Sequence, residues 1–159
     1  MKLPALLLIG PLTIFLCADA AQESVPALPE SEIALLRADI QTRKTDILRQ
    51  NLTLSYEQAK TFWPLQRSYE NDLSKLGDQR LNVIREYTKN WDNLTDDTAK
   101  DLGKRLLDYQ KKRVDLRGRY FDRMSKEISP TIAAKFFQVE TQLEDIIDLE
   151  IASSLPLIK

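Results

Sequence analysis

Histidine is missing from this chain altogether, and cysteine occurs once, at Cys17. Zinc sites built on Cys or His need those side chains, so they are excluded from the rest of the chain. The same holds for Ser-His-Asp and Cys-His nucleophile systems. With one Cys no internal disulfide forms, so an oxidising compartment is tolerated but not exploited. Glycine is scarce, at four residues in 159. There is no Gly-rich phosphate loop, HExxH pair or nucleophile elbow. Strand-like β-branched alternation is lacking as well. Charge of one sign does not dominate: 23 basic and 24 acidic residues leave a net charge of −1. No global field draws nucleic acid. What remains for an enzyme is carboxylates, Lys, Tyr and hydroxyls without a loop cluster to hold them. The sequence therefore reads as a non-enzyme without a cofactor or metal site.

The one sustained apolar stretch lies at the start. Lys2 is a short positive region, residues 3–17 are apolar but interrupted by Pro4, Gly10 and Pro11, and Ala18-Asp19-Ala20 is an A-x-A cleavage site. This is the form of a secretory signal, too short and broken for a membrane span. We expect cleavage after Ala20 and a periplasmic product with no stable membrane span. Residues 21–30, with Pro26 and Pro29, read as a flexible leader, and residues 31–159 as a single all-helical domain.

Within that domain one phrase recurs: Leu54-Ser55-x-x-x-Ala59, Leu94-Thr95-x-x-x-Ala99 and Ile128-Ser129-x-x-x-Ala133. A Ser or Thr N-cap accepts a hydrogen bond from an orphan N–H of the first helical turn, and the preceding aliphatic residue staples the entry. Three helix starts follow, with Gln58 completing a capping box and Pro130 at a first helical position. Helix one is expected from Ser31 to Gln50, with Ile33, Leu36, Ile40, Ile47 and Leu48 on its apolar face and a polar, fraying middle at residues 41–45. Helix two is expected to run from Ser55 to Trp91 and to kink at Pro64. Helix three spans residues 95–127, and helix four runs from Ser129 to a stop at Pro156. Two helices of roughly 50 Å joined by a short loop must lie antiparallel. The expected fold is an elongated antiparallel helical hairpin of about four helices. Its thin core leaves aromatic residues over, which predicts a homodimer or a concave apolar binding face.

Charge is unevenly placed. Residues 95–127 carry ten Lys/Arg and seven Asp/Glu, residues 129–155 one Lys and five Asp/Glu. Glu140, Glu144 and Asp148 stand four apart on one helix face, which suits hard cations only if a second helix converges on them. The simpler reading is a solvated acidic face pairing with basic helix three, where Lys111, Lys112, Arg113, Arg117 and Arg119 cluster. Phe62-Trp63-Pro64 either packs the kinked turn or anchors a partner, since aromatics dominate interface hot spots. Asn51-Leu52-Thr53 and Asn93-Leu94-Thr95 match glycosylation sequons but equally fit loop and cap positions.

Leu52-Thr53 with Glu57-Gln58-Ala59, and Ile128-Ser129-Pro130 with Ala133-Ala134-Lys135-Phe136-Phe137, resemble the paired LTxxQ-type segments of the Spy/CpxP-like periplasmic proteins. The resemblance covers the layout of most of the chain and about ten residues in motif. It implies a bent helical hairpin, a cradle-shaped dimer and an ATP-independent chaperone or envelope-stress role. The His-rich metal-binding ends of some relatives have no counterpart here. The expected function is binding of unfolded or envelope proteins through an apolar, aromatic face formed by Phe62, Trp63, Tyr69, Trp91 and Phe137, with Arg113 and Arg117 in electrostatic support. The alternatives are a signalling or scaffold adaptor for one envelope partner and, more distantly, carboxylate-based divalent cation binding.

Overall fold

A computed structural model of the chain describes the backbone of residues 30–157 and the side chains of residues 40–157. The expected signal segment, its cleavage site and most of the leader lie outside the described residues, as do the side chains of Ile33 and Leu36. Four α-helices account for nearly all of what is described: α1 (Glu30–Asn51), α2 (Tyr56–Asn90), α3 (Asp96–Glu127) and α4 (Pro130–Ser154), with a 3₁₀ turn at Trp91–Asn93. The described residues contain no strand.

The helix starts fall where the hydroxyl caps put them. The Ser55 side chain accepts from the Gln58 N–H, and the Gln58 side chain accepts from the Ser55 N–H, closing a capping box. Thr95 and Ser129 accept from Thr98 and Ile132 in the same way. Pro130 occupies the first position of α4, where its missing N–H removes no helical bond. Pro64 sits inside α2, which continues through it from Tyr56 to Asn90.

Cross-links along the helices fix their directions. Phe62 meets Phe136 and Tyr87 reaches Pro156, so α2 and α4 run parallel. Tyr120 reaches back to Asp72 and Arg105 to Glu86, so α3 is antiparallel to α2. Lys44 meets Glu70 and Arg49 lies over Trp63, so α1 is antiparallel to α2 as well. α3 packs directly against α2 and α4, and α1 packs against α4. The hairpin is thereby wrapped into a four-helix arrangement.

The core is concentrated at the end where α1 meets α2 and α3 meets α4. Phe62, Tyr69 and Phe136 are fully buried there, joined by Leu48 of α1 and Leu52 just after it, Leu116, Tyr120 and Met124 of α3, and Phe137 of α4. Tyr69 makes edge contacts with Tyr120, Phe136 and Phe137 at ring-centre distances of 5.4, 5.5 and 5.5 Å. Each such side chain contributes roughly 1.5–3 kcal/mol by burial, and edge-to-face pairs add to it. The aromatics that seemed too many for a thin core are thus largely consumed by it, because α1 and α4 add two more faces.

Candidate functional site

Beyond the aromatic layer the interior becomes charged. Ile40, Lys44 and Leu48 lie four apart on one stripe of α1, and Leu48 enters the core. The stripe therefore carries Lys44 inward too, and Lys44 is only 6% exposed. It meets Glu140 of α4 at 2.6 Å and Glu70 of α2 at 2.9 Å. Glu140 is fully buried and Glu70 nearly so. Gln41 donates to the other Glu70 oxygen. The polar middle of α1, expected to fray, is instead the segment that ties α1 to α2 and α4.

One turn further along α4, Glu144 receives Arg117 at 3.1 Å, and Arg117 also donates to the Thr141 hydroxyl. Another turn on, Asp148 takes both Arg113 and Arg80. The acidic row of α4 does pair with basic α3 through Glu144 and Asp148. It is not a solvated face, since Glu140 and Glu144 are buried and Glu140 turns to α1.

The geometry sets the protonation chemistry. Burial pushes the Glu140 carboxyl up to about 7, and the charges of Glu70 and Glu144 add to this while Lys44 opposes it. Burial likewise raises Glu144 against the pull of Arg113 and Arg117. Lys44 resists the loss of charge that burial favours, because Glu140 and Glu70 outweigh it and hold the ammonium above its ordinary range. Asp148 is held below the usual carboxylate range, its burial outweighed by the Arg113 and Arg80 guanidiniums. Of the four buried side-chain polar atoms without a hydrogen-bond partner among the described residues, three belong to this layer, the Tyr69 hydroxyl, Glu140 Oε2 and Glu144 Oε1, and the fourth is Ser125 Oγ. The charges of Glu140 and Glu144 both act on that hydroxyl.

Alongside this layer α1 and the body enclose an open groove of about 570 Å³. Its polar wall includes Lys44, Glu70 and Arg80, and its apolar wall includes Leu81, Ile84 and Ile147. Ile40, next on the α1 stripe, is 39% exposed at its edge.

The seven residues expected to form a binding face do not form one here. Phe62, Tyr69 and Phe137 are core residues. Trp63 is half-buried, edge-on to Phe62, with the Arg49 guanidinium 5.4 Å above its ring. Trp91 lies at the other end of α2, roughly 40 Å from Phe62 at 1.5 Å per residue, where its indole N–H donates to the Leu157 carbonyl. Arg113 and Arg117 are committed to Asp148 and Glu144, and Arg117 also lies over the Phe137 ring. Among the described residues no group of three or more acidic side chains is placed to hold a metal ion.

Sequence reasoning missed Lys44 and Glu70. The available signal was positional: Lys44 stands on the apolar stripe of α1, and Glu70 stands next to Tyr69 on the inward side of α2. Comparison with protein-family models, curated proteins and solved structures returns no match.

Proposed function

We propose that this chain is an exported, periplasmic helical protein that binds unfolded or envelope proteins without nucleotide or catalysis, and that its binding face is the aromatic layer beneath α1. One observation carries this reading. Among the described side chains, Leu48 of α1 and Leu52 just after it join the buried apolar cluster, and the other buried side chain of α1 is Lys44 in its ion triad. A segment held through a buried ion triad is more easily released than one held by a continuous apolar seam. Leu48 and Leu52 share one buried cluster with Phe62, Tyr69, Phe136 and Phe137, so departure of α1 would open that cluster, and aromatic patches of this kind mark protein-binding surfaces. The expected aromatic face is retained in this reading, but as a covered one. The kinship with Spy/CpxP-like proteins and a bend of α2 at Pro64 belong to the same proposal.

A homodimer belongs to it too. Leu107, Val114 and Phe121 recur every seven residues on the outer side of α3, at 65%, 66% and 38% exposure. Gly103 and Gly118 flank them with open space at both Cα positions. An apolar heptad stripe beside glycines is a surface that a second copy of α3 can approach closely.

The test uses the mature chain. Mixed at stoichiometric ratio with an unrelated aggregation-prone protein, it suppresses light scattering, and Lys44→Met, which frees α1, suppresses it more strongly. Suppression by neither protein, with one envelope partner recovered by periplasmic crosslinking, would replace this reading with that of a dedicated adaptor.

A further inference from the structure

Resting on that reading, we propose that the Lys44–Glu70–Glu140 triad is a proton-operated latch on α1, closed when Glu140 carries a proton and loosened when it does not. The argument starts from charge. One ammonium, Lys44, faces two buried carboxylates, so the triad bears a net charge of −1 when all three groups are ionised. An uncompensated buried charge is costly and drives neutralisation. The described cations nearest to it are engaged elsewhere. On α3, Arg117 is bound to Glu144 and Thr141, and Arg113 to Asp148. On α2, Arg80 is also on Asp148, and the groups facing the triad are Gln66 and the Tyr69 hydroxyl. On α4, Glu144 adds a second negative charge rather than relief. From α1, Lys44 is the cation that meets the two carboxylates, and the Gln41 that donates to Glu70 is neutral.

Hydrogen bonding points the same way. The Tyr69 hydroxyl has one hydrogen to donate, whereas two buried acceptors, Glu140 Oε2 and Glu144 Oε1, have no donor. A proton on Glu140 turns one of these acceptors into a donor. Lys44 keeps Glu70 as its ionised partner, and α1 stays anchored on a neutral triad.

The direction of the response follows by linkage. With α1 lifted, Glu140 meets water and returns to its ordinary 4.5, whereas with α1 in place burial pushes it up to about 7. The closed form therefore binds the extra proton, and acidification favours closure. Raising the pH from 6 to 8 releases that proton and shifts the equilibrium toward opening by about tenfold. Glu144, also raised by burial, acts in the same sense.

Amide hydrogen exchange on the full mature chain tests this without any client. After correction for intrinsic rates, protection across residues 41–51 is expected to lie below that of the inner turns of α3. It is also expected to fall about tenfold between pH 6 and 8. In Glu140→Gln, a neutral mimic of the protonated acid, the fall disappears. Protection of α1 equal to that of α3, a flat response in the wild type, or an unchanged slope in Glu140→Gln would each overturn the latch. Failure of the client assay together with the expected exchange pattern would overturn the proposed function and leave the latch standing.

Discussion

Replacing Lys44 by Met keeps most of the length and volume of the side chain and removes its charge and its three hydrogen-bond donors. In the native chain the ammonium is 6% exposed and meets carboxylates 0% and 6% exposed. Breaking a buried ion pair from one side leaves charge without a partner and costs about 3–5 kcal/mol. Against a domain stability of about 5–15 kcal/mol, this is a large fraction. The variant can escape only by protonating Glu70 or Glu140, and doing so costs about 1.4 kcal/mol per pH unit above the ordinary carboxyl range. Lys44→Met should therefore lose about 3–5 kcal/mol at pH 7.5 and only about 1–2 kcal/mol at pH 5.

Urea unfolding at the two pH values measures both numbers. With a slope of about 1.5 kcal/mol per molar, the midpoint at pH 7.5 falls by about 2–3 M. A reduced slope would show that α1 has left the folded body rather than that the whole domain has weakened. Lys75→Met is the control, since the Lys75–Asp72 pair is exposed and one turn apart on a single helix. Its effect should stay within about 0.5 kcal/mol. The decisive companion is Lys44→Met/Glu70→Leu/Glu140→Leu, which removes all three charges and should recover the lost stability or exceed it. A Lys44→Met cost no larger than that of Lys75→Met, or one independent of pH, would refute the claim that the triad is a desolvated, charge-limited anchor.

Two further outcomes follow from the same contacts. Asp148→Asn removes the carboxylate shared by Arg80 and Arg113, which hold it below its ordinary range. Because that range is depressed in the folded state, its stabilisation is present at neutral pH and lost as pH falls below about 3.8. The variant should be less stable by about 1–2 kcal/mol at pH 7, and in thermal unfolding the difference should shrink as the pH falls below about 3.8. Val114→Lys places a charge at the middle of the exposed α3 stripe without touching the core. Sedimentation should show a dimer for the native chain and a monomer for the variant with unchanged helicity, and a native monomer at tens of micromolar would remove the dimer.

Helix boundaries were legible in the sequence because their causes are local. Ser55, Thr95 and Ser129 satisfy N–H groups two or three residues away, and the helices begin where those bonds require. The positions of the apolar residues were legible for the same reason of period: Phe62, Tyr69 and Leu116 recur at helical steps and are buried. Their partners were not, since periodicity gives a face without saying what covers it. The leftover aromatics looked like a binding surface because the wrapping of α1 and α4 around the hairpin leaves no mark on local spacing. The charged layer was least legible of all. Lys, Glu and Asp on a helix read as solvated, and they are rarely buried unless paired. Only the spatial meeting of Lys44, Glu70 and Glu140, residues 26 to 96 positions apart in sequence, makes burial tolerable. Arg113, at helical steps from the buried Tyr109 and Leu116, is one local hint that the interior is not wholly apolar.

The charged layer also explains why α1 is attached as it is. An all-apolar seam between α1 and the body would accept small register shifts, because Leu and Ile pack similarly one turn up or down. A single ammonium between two fixed carboxylates accepts one register only, since a shift of one turn moves Lys44 by roughly 5.4 Å and leaves three buried charges unpaired. Such groups specify an arrangement at some expense in stability. Here the expense carries a second consequence. Replacing the triad with Leu would close the groove wall, strengthen the docking of α1 and abolish any proton dependence of its release. The same three residues thus set where α1 docks and, by leaving one negative charge uncompensated, set how firmly it stays. A chaperone-like reading needs a helix that is placed reproducibly yet can leave, and an ion triad short of one cation meets both requirements where a continuous apolar seam meets only the first.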